Sequence, residues 1–190
     1  MIRYLLLSLL LMSIVILTSC VVTPEEQEFE ALLNAPHIYT LTNLHPHERR
    51  SALYTMNYQM DGLIPICTEV KTLESSYGYL EFEAVQSGRV YTYQEHGNPG
   101  EDFIHHVKKY FGTECDKEKI EHLSDIDRKG ILEGKPLIGM SRQGVIYALG
   151  YPPVRKTPYL ETNRWWYWKS RVNRFYIEFN LNGTVSKIRD

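Results

Sequence analysis

The run from residue 139 to residue 190 constrains the fold of this chain more strongly than any other. Ser141 is a preferred helix N-cap residue, because its side chain can accept a hydrogen bond from the first helical turn. Gly150 suits the position just after a helix, and Pro152-Pro153 prevents the helix from continuing. The sequence therefore predicts a helix of about two turns between Ser141 and Gly150.

Three antiparallel strands are predicted after the prolines. Residues 163–168 and 174–180 are rich in aromatic and β-branched side chains, and in the second of these segments apolar residues alternate with polar ones. Asn182-Gly183 is a strong hairpin signal between the second strand and residues 184–188. This part of the chain is therefore expected to form one helix and a small sheet.

The register of that hairpin has two solutions. A two-residue turn places Phe179 opposite Ser186, whereas a three-residue loop with a glycine bulge places Phe179 opposite Val185. Apolar cross-strand pairs on one face of a sheet stabilise it. We therefore predict the bulged loop, which pairs Phe179 with Val185.

Several motifs follow one another in this region: Gly139-Met140-Ser141-Arg142-Gln143-Gly144-Val145, Ala148-Leu149-Gly150, Pro152-Pro153, Trp165-Trp166-Tyr167, and Phe179 with Asn182-Gly183-Thr184-Val185. Together they resemble the SmpA/OmlA family of outer-membrane lipoproteins. The resemblance covers residues 139–190 and implies a helix packed on a three-stranded sheet. It also implies a non-enzymatic scaffold or accessory role in outer-membrane organisation or assembly.

The N-terminus has the features of an export signal. Residues 1–19 contain a basic residue followed by an apolar stretch that is too short for a lasting transmembrane helix. The segment ends in Leu17-Thr18-Ser19-Cys20, which resembles the bacterial lipobox. That resemblance implies cleavage before Cys20 and its acylation, and the alternative is an ordinary signal peptide with an incidental cysteine. Val21-Val22 stand where lipoproteins of the inner membrane often carry Asp, so a periplasm-facing anchor in the outer membrane is expected.

Charge and composition divide the rest of the chain. The formal charge is −9 over residues 20–138 and +6 over residues 139–190, which suggests two modules or faces with different partners. An acidic cluster near residues 25–30 has few structural signals around it and predicts a solvated tether, with at most one helical turn from Glu25 to Leu33. The predicted organisation is a lipoprotein signal peptide (1–19), a lipidated tether (20–50), a small β module (51–96), a helical connector (97–138) and the C-terminal module (139–190).

The β module is predicted from four short strand-like segments separated by turn residues. They are residues 53–59, 69–73, 79–85 and 90–94. Their spacing predicts a small antiparallel β barrel or sheet. The run from Asn57 to Val70 also resembles a bacterial Src-homology-3-like domain, although Cys67 stands where that family commonly has Gly.

The connector is predicted to be helical. Residues 100–112 carry Phe103, Ile104, Val107, Tyr110 and Phe111 on one stripe, with charged residues elsewhere. Residues 117–123 continue helically, and residues 125–132 form a further short helix capped by Ser124. The predicted fold class is therefore α+β, with a β module, then helices, then a helix and three strands.

The sequence contains little evidence of a catalytic or metal-binding site. The sequence contains no paired carboxylates, nucleophile elbow or metal-ligand spacing of a recognisable kind, so we expect neither enzymatic activity nor a cofactor. Asp125-x-Asp127 resembles the start of a calcium loop, but Pro136 stands where the bidentate Glu should be. His96, the pair His105-His106, and His122 are interpreted as surface histidines.

Two cysteines remain once Cys20 is lipidated. Export to an oxidising compartment allows Cys67 and Cys115 to form a disulfide, which would connect the β module to the helical connector. Two buried free thiols are the alternative. The sequence alone leaves both interpretations open.

The segment around residues 164–174 is the best candidate for a binding surface. Alternation along the strand places Arg164, Trp166 and Trp168 on one face and Trp165, Tyr167 and Lys169 on the other. One face must pack on the helix, and the sequence does not decide which one. Arg171 and Arg174 follow closely. Aromatic and arginine clusters suit a protein interface or an anionic lipid headgroup. The alternative is that the N-terminal module covers both faces of this strand.

Two functions from different classes follow from these features. The first is a membrane-anchored scaffold or accessory lipoprotein with a protein partner in the envelope. The second is a periplasmic module that binds a peptide or a cell-wall glycopeptide. Nucleic acid is not expected as a partner, because the predicted location excludes it.

Overall fold

A computed structural model describes residues 22–190 of the protein. The predicted signal peptide, the lipobox and Cys20 lie outside the described residues. Within them, a curled mixed sheet of six strands and a separate antiparallel sheet of three strands are combined with short helices. The predicted α+β class is confirmed. None of the helices in residues 22–190 is long and apolar enough to span a membrane.

The described part of the chain contains five α-helices and nine strands. The helices are α1 (Pro24–Leu33), α2 (Phe103–Lys108), α3 (Lys117–Glu121), α4 (Asp125–Glu133) and α5 (Arg142–Leu149). The strands are β1 (Ile38–Thr40), β2 (Ala52–Tyr54), β3 (Glu69–Ser76), β4 (Tyr79–Ala84), β5 (Arg89–Gln94), β6 (Phe111–Gly112), β7 (Arg164–Trp168), β8 (Arg174–Phe179) and β9 (Val185–Arg189).

The first sheet has the strand order β2-β5-β4-β3-β1-β6. Its pairs are antiparallel except for β2 and β5, which run parallel. The sheet is therefore mixed rather than purely antiparallel. Strand β2 is shorter than predicted, because the backbone of Asn57 adopts a left-handed conformation (φ 47°) that an extended strand does not allow.

The tether predicted for residues 20–50 is wrong over the described residues 22–50. Helix α1 begins with a capping box in which Thr23 and Glu26 bond each other's backbone N–H groups. Phe29 and Leu33 are buried in the same core as the sheet, and β1 pairs with β3 and β6. The acidic residues of α1 face solvent, while these two apolar residues, four positions apart, face inward.

The helix predicted over residues 100–112 is shorter than expected. It ends at Lys108, and Phe111 and Gly112 instead form β6 against β1. The apolar stripe is nevertheless placed correctly, since Phe103, Val107 and Phe111 are all buried. The helix at residues 125–133 is confirmed, with Ser124 as its N-cap.

The C-terminal unit matches the prediction closely. The Ser141 side chain accepts a hydrogen bond from the Gly144 N–H at the start of α5, and Gly150, with φ 75°, ends that helix. The second sheet has the order β7-β8-β9. Phe179 lies opposite Val185, with a bulge beside Glu178, so the predicted bulged register is confirmed.

Hydrogen bonds at the end of α5 connect this unit to the first sheet. The last carbonyls of an α-helix have no partner within the helix and need one from elsewhere. Here the partners come from residues 43–59: Asn43 N–H to Tyr147 (2.8 Å), His45 Nε2 to Ala148 (2.9 Å), and Asn57 Nδ2 and Gln59 Nε2 to Leu149 (2.9 and 3.0 Å). The end of α5 is thus completed by the N-terminal part of the fold.

The structure joins Cys67 to Cys115 in a disulfide, with a Cα–Cα distance of 5.4 Å. The sequence left open a disulfide or two free thiols, and the structure contains the disulfide. Cys67 has φ 64°, a left-handed conformation that costs about 1 kcal/mol or more for a residue with a side chain. This is the position at which the Src-homology-3-like pattern has Gly, the residue that adopts such a conformation without cost.

Candidate binding surface on the C-terminal sheet

Strand β7 separates its aromatic side chains between two environments. Trp165 and Tyr167 are fully buried against α4 and α5, in a core that includes Ile177. Trp166 and Trp168 point to the opposite face and remain partly exposed. Of the two faces, the one with Trp166 and Trp168 therefore lies outside the core.

An aromatic pair occupies the middle of this outer face. Trp166 and Tyr176 lie opposite each other on β7 and β8, with ring centres 4.9 Å apart. The Arg174 guanidinium lies over the Trp166 ring at 5.1 Å, and that of Arg164 lies over the Tyr176 ring at 4.6 Å. Each ring thus carries a stacked arginine, an arrangement that restricts the rotamers of all four side chains. We call these four residues the Trp-Arg face.

Tyr176 was missed as a site residue at the level of the sequence. Its contribution depends on the strand register, which places it directly beside Trp166. The signal was present in the predicted β8 alternation, in which Phe175 and Ile177 face the core and Tyr176 therefore faces outward.

The predicted site residue Trp168 lies next to the N-terminal part of the fold. Its carbonyl accepts a hydrogen bond from the Gln59 N–H at 2.8 Å, and its backbone forms an isolated bridge with Tyr58. Residues 58–59 therefore line this end of the β7 edge, next to an aromatic cluster of Tyr54, Tyr58 and His96. The N-terminal module thus reaches the Trp168 end of β7.

Charge on this surface is mainly positive. Arg164 is paired with Glu178 at 2.5 Å, and Lys169 with Asp190 at 2.6 Å. By contrast, the exposed Arg171 and Arg174 form no ion pair with any described residue. Their charge is available to an acidic partner.

The structure corrects the surface interpretation of one histidine. His106 is only 2% exposed, and it bonds Glu101 through Nδ1 at 2.8 Å and the Tyr93 hydroxyl through Nε2 at 2.7 Å. Burial lowers the pKa of His106 despite its bond to the carboxylate, so the neutral ring donates to Glu101 and accepts from Tyr93. Lys109 completes the network by bonding Glu101 at 2.6 Å. His105 and His122 are exposed, as expected.

This buried network has the residue types of a catalytic triad, but its side chains are not accessible to a substrate. Burial raises the pKa of Tyr93 well above its ordinary value, so its hydroxyl stays protonated. Both ring nitrogens of His106 are occupied by internal partners. The network therefore connects α2 to β5, and its side chains form hydrogen bonds with one another within the core.

Asp127, considered above as a calcium ligand, has a structural role. Its carboxylate accepts hydrogen bonds from the Ser141 N–H and the Ser124 hydroxyl, both at 2.7 Å, and so connects the starts of α4 and α5. Gly144 lies directly against this carboxylate. Among residues 22–190, no cluster of three or more His, Cys, Asp or Glu side chains is placed to hold a metal ion.

No protein-family model, curated protein or solved structure matches this chain. The resemblances to the SmpA/OmlA family and to the Src-homology-3-like domain therefore stay predictions. The features that bear on function are the geometry of the Trp-Arg face and the N-terminal sequence signal.

Proposed function

We propose that the chain is a non-enzymatic, lipid-anchored envelope protein that binds a partner protein through the Trp-Arg face. In this role it acts as a scaffold or accessory factor in the organisation or assembly of the outer membrane. The observation that carries the proposal is the stacked arrangement of Trp166, Tyr176, Arg164 and Arg174 on the outer side of the C-terminal sheet.

The composition of this face supports a protein partner. Trp, Tyr and Arg are the residues that dominate binding energy at protein interfaces, where they are buried centrally and shielded from water. The Trp166 backbone N–H donates to the Thr157 hydroxyl at 3.0 Å, and the Trp166 ring is held between Tyr176 and Arg174. Less conformational entropy is lost when such a fixed side chain is buried by a partner.

The unpaired charge supports an acidic partner surface. Arg171 and Arg174 would gain carboxylate partners on binding, and a guanidinium already stacked on Trp166 presents its N–H groups in a fixed orientation. Electrostatic complementarity of this kind increases association rates and selects between partners. The proposed partner therefore carries Asp and Glu residues around an apolar centre.

Charge reversal tests the binding face. The double variant Arg171→Glu with Arg174→Glu should lose its crosslinked partners in intact cells, while its melting temperature should stay close to that of the wild type, because exposed charges contribute little to stability. The matched control reverses the exposed pair Arg49 and Arg50 and should keep the same partners. Unaltered crosslinks in a folded Arg171 and Arg174 variant would contradict the proposed face.

Lipid labelling tests the anchor separately. Cys20→Ala removes the only thiol in Leu17-Thr18-Ser19-Cys20, so it should abolish incorporation of a clickable fatty acid and leave unprocessed or mislocalised precursor. Labelling equal to that of the wild type would overturn the lipoprotein part of the proposal. The wild-type protein should fractionate with the outer membrane.

A further inference from the structure

An apolar groove of about 770 Å³ opens beside the N-terminus of the described chain. It lies between α1, the turn that joins β3 to β4, and the start of α2. Its apolar lining consists of Val22, Phe29, Tyr77, Phe103 and Ile104. The groove therefore combines side chains from three separate elements that the sequence analysis did not bring together.

Two large side chains at this groove are exposed. Tyr77, at the tip of the β3–β4 turn, is 98% exposed, and Val22 is 48% exposed. A tyrosine that projects from a turn gains little from water but is favoured at a membrane–water interface, where its ring and hydroxyl meet different environments. The groove and its rim thus have the character of a lipid-facing surface.

The chain length places this surface near the predicted anchor. Helix α1 starts at Pro24, and three residues separate it from Cys20 in the sequence. Cys20 stands two positions before Val22, and two residues span at most about 7 Å even when fully extended. If Cys20 carries the lipid, the end of the molecule that contains the groove stays at the membrane surface.

Charge around the groove selects the kind of lipid. Its charged lining residues are all acidic, namely Glu26, Glu30, Glu95 and Asp102. Carboxylates repel an anionic bilayer surface over a distance of about 10 Å, but they can pair with the ammonium groups of zwitterionic headgroups. A bilayer rich in phosphatidylethanolamine fits this rim better than one rich in phosphatidylglycerol.

We infer that the groove and Tyr77 rest on the surface of a zwitterionic bilayer and fix the orientation of the protein relative to the membrane. The inference depends on the acylation of Cys20 in the proposed function. It adds a lipid contact distinct from the Trp-Arg face and made by the acidic end of the protein.

A pair of labelled variants tests this contact. Tyr77→Cys and Leu181→Cys introduce a thiol at two turns with nearly equal exposure, 98% and 97%, while Cys67 and Cys115 stay bonded under non-reducing conditions. Each full-length variant is purified in acylated form, labelled with a fluorophore and incorporated into phosphatidylethanolamine-rich vesicles that contain lipid-attached quenchers. Quenching should be several times stronger at position 77 than at position 181.

The outcomes distinguish a failure of the membrane contact from a failure of the proposed acylation of Cys20. Mass spectrometry of the purified protein comes first, and a chain without acyl groups overturns both. An acylated protein whose probe at position 77 is quenched no more than that at 181 overturns the membrane contact alone.

Replacing half of the phosphatidylethanolamine by phosphatidylglycerol should weaken quenching at 77, and unchanged quenching would refute the role of the acidic rim. Ser76→Cys, in the same turn, provides a second probe if Tyr77→Cys does not fold.

Discussion

Replacement of Asn57 should destabilise both sheets at once. Its Nδ2 group donates to the carbonyls of Leu149 at 2.9 Å and of Tyr151 at 2.7 Å, across the contact between the two parts of the fold. The residue is 8% exposed and has φ 47°, a conformation that Asn tolerates better than Ala. Asn57→Ala therefore removes these two hydrogen bonds and introduces backbone strain. It also removes a third bond, which Oδ1 accepts from Gln59 Nε2 at 2.9 Å, but Gln59 Nε2 keeps two other acceptors.

The size of the effect follows from these contacts. Both carbonyls keep another donor, Gln59 at Leu149 and the Tyr110 hydroxyl at Tyr151, so each lost bond costs only about 1 kcal/mol. The left-handed conformation adds about 1 kcal/mol for Ala. A total of about 3 kcal/mol corresponds to a decrease in melting temperature of roughly 6–12 °C for a chain of this size. Asn57→Gly should lose less stability, because Gly adopts the left-handed conformation freely.

The assay uses the position of the tryptophans. All three lie on β7, so their fluorescence reports on the C-terminal sheet, whereas far-UV circular dichroism reports on the whole fold. If the hydrogen bonds at the end of α5 couple the two parts, Asn57→Ala should lower both melting temperatures equally. A fluorescence midpoint that stays at the wild-type value would refute the coupling. Asn182→Ala, at an exposed turn, is the control and should melt like the wild type.

Three further predictions use the same thermal measurements. Gly144→Ala should cost about 1–3 kcal/mol, because the added methyl group would collide with the buried carboxylate of Asp127. Burial lowers the pKa of His45 below its ordinary value of 6.5, so the unfolded chain binds the proton more readily, and stability should fall as the pH decreases below about 6.5. Cys67→Ser with Cys115→Ser should cost roughly 4 kcal/mol, since the disulfide closes a loop with a sequence separation of 48 residues.

The results that would contradict these predictions differ from one to the next. A Gly144→Ala variant as stable as the wild type would show that the contact with Asp127 can relax without cost. A melting temperature equal at pH 7.5 and pH 5.5 would exclude a contribution from His45. If the double serine variant melted like the oxidised wild type, the disulfide would not contribute to the stability of the fold.

The sequence predicted the C-terminal unit well because its signals are local. Ser141 begins the helix and Gly150 ends it, each by a hydrogen bond to a residue three or four positions away. The apolar pairing of Phe179 with Val185 selects the bulged register. Such features depend on neighbours that a single stretch of sequence contains. Simple alternation separated the two faces of β7, but which of them is exposed depends on the packing of Trp165 and Tyr167 in the core.

The features that sequence reasoning missed depend on distant partners. Asn57 bonds a carbonyl 92 residues away, and β6 exists only because β1 lies beside it. His106 is buried because α2 packs on β5, although an isolated pair of histidines gives no sign of this. The acidic residues of α1 concealed its two buried apolar positions, so a helix that belongs to the core was interpreted as a tether.

The N-terminal part of the fold gives the Trp-Arg face its support. Residues 43–59 complete the end of α5, the helix on which the second sheet packs, and Gln59 also bonds the β7 edge at Trp168. A unit as small as residues 139–190 is only marginally stable alone, because much of its surface remains exposed to water. With these contacts in place, the strand that carries Trp166 is fixed at its Trp168 end. The acidic N-terminal part is therefore a structural foundation for the basic surface.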